Sequence, residues 1–243
     1  MKSLLLKEIN VFFSGVIGYL VIVVFLALNG IFLWLYPGQF NLLDSGYANI
    51  DGLFLLSPWL LMLLIPAITM RMFSDEKKSG TIELLLTRPF TDFQIVLAKY
   101  LSAIALVIFA LLPALIYFYS IYQLGNPAGN IDTGATIGSF IGLLFLGASY
   151  ASIGLFTSSI TDNQVISFIS SILLCFFFYF GFDHLAGLDF FGNLDLFILN
   201  LGMNEHYASM SRGVVVANDA LYFISVISIF LFATVTVLKS RKW

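Results

Sequence analysis

Few side chains in this sequence are of a type that could carry chemistry, and their spacing argues against most of it. The two histidines, His184 and His206, fall near Asp183, Asp189 and Glu205. Imidazole with carboxylate is the donor set of zinc and similar divalent ions. The histidines lack the i, i+4 spacing that would set two imidazoles on one helical face, and Asp183-His184 ends an apolar run, where a water-facing polar cap is the simpler reading. Ser149, in Gly147-Ala148-Ser149-Tyr150, would need a general base within hydrogen-bond reach to become a nucleophile. The apolar run around it contains no His, Lys, Asp or Glu. Cys175 stands alone inside Leu173-Leu174-Cys175-Phe176-Phe177 and reads as a small buried hydrophobe. No Gly-x-x-x-x-Gly-Lys-Ser/Thr occurs, so no loop of backbone amides is available to cradle a nucleotide. The expectation is a chain that is not catalytic on its own, with no catalytic, cofactor-binding or metal-binding residue.

The elements that carry these residues are membrane spans. Of 243 residues, 60% are hydrophobic and 10% charged, where a soluble domain carries about 25% charged residues. The mean hydropathy is +0.98. A soluble fold of this length could not cover that much apolar surface. Six apolar segments, at about 11–36, 53–72, 95–122, 135–157, 165–182 and 220–238, are each long enough to cross a hydrocarbon core of ~30 Å. The first exceeds the apolar core of a signal peptide and is followed by no small-residue cleavage site, so it reads as a retained span.

Orientation follows from the bases, which stay on the cytoplasmic side. An inside N-terminus puts Lys2, Lys7, Arg71, Lys77, Lys78, Arg88, Lys99, Lys239, Arg241 and Lys242 in the cytoplasm and leaves Arg212 alone outside. The fold class is therefore an all-α integral membrane protein with six transmembrane helices and both termini cytoplasmic, forming one membrane domain over 1–243. The formal charge of -3 and its distribution suggest the lipid bilayer as partner and no nucleic acid. The connection at 183–219 mixes Gly and Asp with apolar residues in a stretch too short to span, so a re-entrant or interfacial external segment is expected.

Within the spans, Pro66 and Pro113 each remove a backbone hydrogen bond and predict helix kinks. These shape packing or relay movement. Small residues at helical spacing, Gly138 with Gly142, Gly147 with Ala151 and Gly154 with Ser158, predict close helix packing, within the chain or between two chains. Tyr117, Tyr119, Tyr122, Trp34 and Tyr36 fit an interfacial aromatic belt.

The least generic segment is the cytoplasmic connection at 73–93. Thr81 to Leu86 predicts a short amphipathic helix that stops before Pro89, because the residue preceding a proline avoids the α region. Gly80 permits the turn into it, and Thr91-Asp92 offers an N-cap to the third span. Asp75, Glu76 and Glu83 alternate with Lys77, Lys78 and Arg88. A purely lipid-anchoring loop would need only the bases, so a mixed-charge helix suits docking to a protein.

This segment resembles the loop between spans two and three in the ABC-2 family of ABC transporter permeases. The family pattern, acidic-x-x-x-Gly-Thr-x-Glu-Leu-Leu-x-x-Pro with a later Lys, is matched by Glu76, Gly80, Thr81, Glu83, Leu84, Leu85, Pro89 and Lys99. Ala98, where many relatives have Gly, departs from it. Within the family the chain is most similar to permease subunits associated with gliding motility. The resemblance implies a coupling helix seated in a separate ABC ATPase subunit, formed around Asp75, Glu76, Gly80, Thr81, Glu83, Leu84, Leu85 and Pro89, with Glu83 and its neighbours transmitting nucleotide-driven closure to the spans. It implies ATP and magnesium bound by the partner, a second permease that is identical or related, and a multi-pass place in a bacterial cytoplasmic (inner) membrane. Export associated with gliding motility is the implied role, and a non-transporting scaffold of a motility or secretion apparatus is the alternative.

Overall fold

The computed structural model describes residues 2–86, 90–188, 192 and 195–240. Among these, the regular elements are helices: α1 (Lys2–Ser14), α2 (Val16–Trp34), α3 (Leu42–Ser45), α4 (Asp51–Thr69), α5 (Arg71–Lys78), α6 (Thr81–Leu86), α7 (Asp92–Leu124) and α8 (Thr133–Ile160). There follow α9 (Gln164–Phe176), a π-helical turn at Phe177–Gly181, α10 (Phe182–Ala186), α11 (Asp195–Leu199), α12 (Met203–Ser211) and α13 (Ala217–Ser240). Among the described residues, six helical stretches are long and apolar enough to cross a membrane: α2, α4 with α5, α7, α8, α9 through α10, and α13.

The first span differs from its expected bounds. It starts at Val16, and residues 11–14 belong to the separate helix α1. The break is at Gly15, whose backbone is extended at φ -97 and ψ 165, at the residue type that holds a helix least well after proline. The chain folds back closely here, because a Cβ at Gly18 would stand 2.8 Å from the Phe12 carbonyl oxygen. Hydropathy does not register the break, since apolar residues continue on both sides of it. The fifth span also runs further than expected, to Ala186, because the π turn widens the helix without ending it.

Alternate spans run in opposite directions, which gives the bundle two ends. At the basal end, α1 meets the start of α7, and α5 meets the end of α8 and the start of α9. The last turns of α13 lie there too, with Phe232 stacked on Phe93. At the distal end, α12 lies against the starts of α8 and α4. Nine residues of α12 rise about 14 Å, short of the ~30 Å core, so this helix packs on the bundle without crossing it.

Helix α8 is the most buried span. Lipid tails are as apolar as leucine, so close contact between helices must come from packing and hydrogen bonds. Its small residues supply that contact. A Cβ at Gly138 would stand 2.5 Å from the Met210 carbonyl oxygen, one at Gly142 3.1 Å from the Tyr207 ring, and one at Gly147 2.8 Å from Val107 Cγ1 of α7. At Gly154 it would collide with Thr69 of α4. Ala151 is fully buried. Each of these glycine contacts is made inside the chain. Pro66 and Pro113 sit within α4 and α7, and both helices continue through them.

Candidate coupling site at the basal end

Thr69 ends α4 and Met70 leads directly into α5, so the second span passes almost unbroken into residues expected to form a loop. Its seam is closed from outside. Ser158 Oγ accepts from the Phe73 and Ser74 amides at 2.9 and 3.1 Å and donates to the Met70 carbonyl at 3.0 Å. Ser158 reaches that seam because Gly154, one turn earlier, lets α8 lie on Thr69. A buried amide left without an acceptor would cost about 1–3 kcal/mol, so this one hydroxyl holds two orphaned donors.

From α5 the chain turns through Ser79 and Gly80. Gly80 lies at φ +70, in the left-handed region that glycine enters freely. The turn is tied down by Ser79 Oγ, which donates to the Asp75 carbonyl at 2.7 Å and lies 2.8 Å from Thr81 Oγ1. The short helix α6 follows, with Glu83 exposed and Ile82 packed against the core. Leu84 and Leu85 continue this helix, and Pro89 lies outside the described residues. Thr91 then caps α7 through a reciprocal capping box with Gln94.

Asp75 and Glu76 lie on α5 and not on the turn or α6. Asp75 Oδ1 accepts from Gln164 Nε2 at the start of α9, and Lys77 Nζ donates to the Ser159 carbonyl at the end of α8. Glu76 faces inward. Its Oε1 lies 2.9 Å from Lys99 Nζ, and the same ammonium lies 3.4 Å from Glu8 Oε2 of α1. Lys7 completes the group at 3.3 Å from Glu8 Oε1 and 3.9 Å from Glu76 Oε1. The Lys99 ammonium also stands 5.1 Å over the Phe73 ring.

Lys99 therefore differs from the flanking loop base that its position suggests. Its side chain is 1% exposed, against 54% for Lys7, and one buried charge joins α1, α5 and α7. Bringing an ion out of water costs several kcal/mol unless it is paired and hydrogen-bonded. Two carboxylates and an aromatic face answer that cost. Glu8 was missing from the residues singled out in the sequence. Its signal was indirect: Lys99 follows the Thr91 cap by two turns into an apolar run, and a base so placed needs a buried acid.

Around the distal histidines, no group of three or more His, Cys, Asp or Glu converges among the described residues, and Asp189 lies outside them. His206 Nδ1 is 2.7 Å from Asp219 Oδ1, its Nε2 is 2.9 Å from the Asn200 carbonyl, and its ring stacks on Tyr222 at 3.9 Å. Both ring nitrogens are thus engaged within the chain. Asp183 Oδ2 accepts from Asn204 at 2.6 Å. Tyr207 donates to the Phe54 carbonyl at 2.8 Å, and burial pushes its hydroxyl well above the ordinary phenol range. Ser149 donates to its own helix at the Phe145 carbonyl, 3.0 Å away, and Cys175 is buried.

The family model described as ABC-2 family transporter protein matches residues 14–242. No curated protein matches the chain.

Proposed function

Because the chain belongs to the ABC-2 family of transporter proteins, we propose that it is the permease subunit of a transporter energised by a separate ABC ATPase, with α6 as the coupling helix. ATP and magnesium are bound by that partner. The observation that carries this reading is mechanical: α6, which exposes Thr81 and Glu83, follows the extension of a span through a short turn held by the Ser79 and Gly80 hydrogen bonds. A push on α6 is passed to α5 by the Ser79 and Thr81 bonds, and to α4 through the seam held by Ser158. Lys99 carries the same displacement to α7 and α1 through Glu76 and Glu8.

Nucleotide binding draws two ATPase subunits together, the two coupling helices follow, and a pathway at the interface of two permeases opens alternately to either side. The basal end is cytoplasmic in this scheme, in accord with Lys7, Arg71, Lys77, Lys78, Lys99 and Lys239 gathered there. The membrane is the bacterial inner membrane, the second permease is a copy or a related chain, and the role is export associated with gliding motility. The last point rests on sequence resemblance.

The test is purification of the full chain, tagged at its C-terminus, from native membranes, beside a Glu83→Lys variant. A phosphate-loop ATPase recovered with the wild type and reduced with the variant supports the reading. If an ATPase is recovered whose hydrolysis ignores Glu83→Lys, a non-transporting scaffold is the better account. If no ATPase accompanies either form, the coupling assignment fails.

A further inference from the structure

A cavity of about 230 Å³ opens at the basal end between α1, the start of α2, α5 and α7. Its apolar wall is formed by Val11, Phe12, Ile17 and Ile68. Its polar wall carries three bases, Lys7, Arg71 and Lys99, and three acids, Glu8, Asp75 and Glu76. The volume is below the ~300 Å³ at which drug-sized pockets begin, so the space fits a headgroup and not a bulky cargo. It sits where the first span begins, at Val16, and the second leaves its apolar stretch, at Thr69. Helix α1 exposes Leu6 on its outer side, as a helix lying in the membrane interface does.

The internal pairs leave two groups over. Glu76 Oε2 is shielded from solvent and has no hydrogen-bond donor, and the Arg71 guanidinium is exposed with no ion pair among the described residues. A buried carboxylate oxygen without a donor is costly. The six charges of the wall sum to zero, so the cavity favours neither a simple anion nor a simple cation. What satisfies both leftover groups is a zwitterion with an N–H-bearing ammonium for Glu76 and a phosphate for Arg71. The two residues are five apart on α5, about 7.5 Å along its axis, so both side chains can reach one headgroup.

We propose that this cavity binds the headgroup of phosphatidylethanolamine, with its ammonium on Glu76, its phosphate at Arg71 and its acyl chains leaving along Phe12 and Ile17. Free phosphoethanolamine has the same polar chemistry, but the apolar wall selects the lipid. The site depends on the membrane placement of the helices and not on the ATPase reading.

Native mass spectrometry of the delipidated full chain tests it, with dioleoyl phosphatidylethanolamine, its N-methyl and N,N-dimethyl forms, and dioleoyl phosphatidylcholine supplied at equal concentration. The charge is constant along this series while N–H donors are lost. Retention is expected to fall stepwise, to about one tenth or less for phosphatidylcholine, the scale of one charge-assisted hydrogen bond. Glu76→Gln levels the series. Arg71→Ala lowers all four lipids together and keeps their order. Equal retention of phosphatidylethanolamine and phosphatidylcholine by the wild type overturns the proposal. Should Glu76→Gln not fold, Arg71→Ala decides alone: unchanged retention of phosphatidylethanolamine overturns the site.

Discussion

Ser158 Oγ of α8 lies 2.9 Å from the Phe73 amide of α5, across 85 residues of sequence, at the point where the second span becomes the arm that carries α6. Replacing that hydroxyl removes an acceptor from two buried amides and a donor to the Met70 carbonyl. Ser158→Ala is expected to lower stability by about 1–3 kcal/mol, read by thermal unfolding in detergent. Under the proposed function it should also uncouple ATP hydrolysis by an ATPase subunit from transport more than it lowers hydrolysis itself. A variant as stable and as coupled as the wild type would remove this seam from the mechanism.

Gly154 makes that contact possible, since a Cβ there would run into Thr69. Gly154→Ala is expected to destabilise by about 1–3 kcal/mol through overpacking. Thr69→Ala in the same chain should recover part of the loss by clearing the Oγ1 atom. The comparison is a double-mutant cycle on melting temperature, and strict additivity of the two changes would count against direct contact.

Lys99 is the shared partner of Glu8 and Glu76, so Lys99→Met leaves two carboxylates without their buried cation. The expected loss is about 3–5 kcal/mol. Lys99→Met combined with Glu8→Gln and Glu76→Gln should be less destabilised than Lys99→Met alone, because the uncompensated charge goes with its partner. Expression level and unfolding temperature of the two variants beside the wild type are sufficient to see the order.

Tyr207 gives a pH dependence with a definite sign. Its folded hydroxyl is held well above the ordinary value by burial, so its contribution is complete below about pH 10 and is lost as pH rises beyond it, where the unfolded phenol ionises first. Tyr207→Phe should shallow the alkaline limb of a stability profile by up to one proton. At neutral pH it should cost about 1 kcal/mol through the lost bond to the Phe54 carbonyl. An alkaline limb unchanged in the variant would assign that limb to other groups.

Chelation gives the complementary test at the distal end. Both nitrogens of His206 are engaged by Asp219 and Asn200, so prolonged treatment with EDTA should leave the unfolding temperature unchanged. His206→Ala should loosen α12 from α13 and lower it. A fall in unfolding temperature on chelation, restored by zinc, would place a metal there after all.

The membrane class, the number of helices able to cross and the short helix after Gly80 can be read along the linear chain. Each of these is written locally, in runs of apolar residues whose length must match a hydrocarbon core, and in turn residues such as Gly80 and Thr91 whose preferences act within a few positions. Tertiary structure decided the rest. The chain breaks at Gly15 because α1 turns back to bury Glu8 against α7, and hydropathy is blind to a turn between two apolar stretches. Asp75 and Glu76 share the helix that approaches the Gly80 turn, yet one bonds Gln164 and the other Lys99, 23 residues away. Which neighbour a charged side chain meets depends on how helices are laid together, and that arrangement is set by close approaches such as Gly154 on Thr69. A buried Lys99 can be suspected from one chain position; the acid that answers it, 91 residues earlier, can be found only after folding has brought the two together.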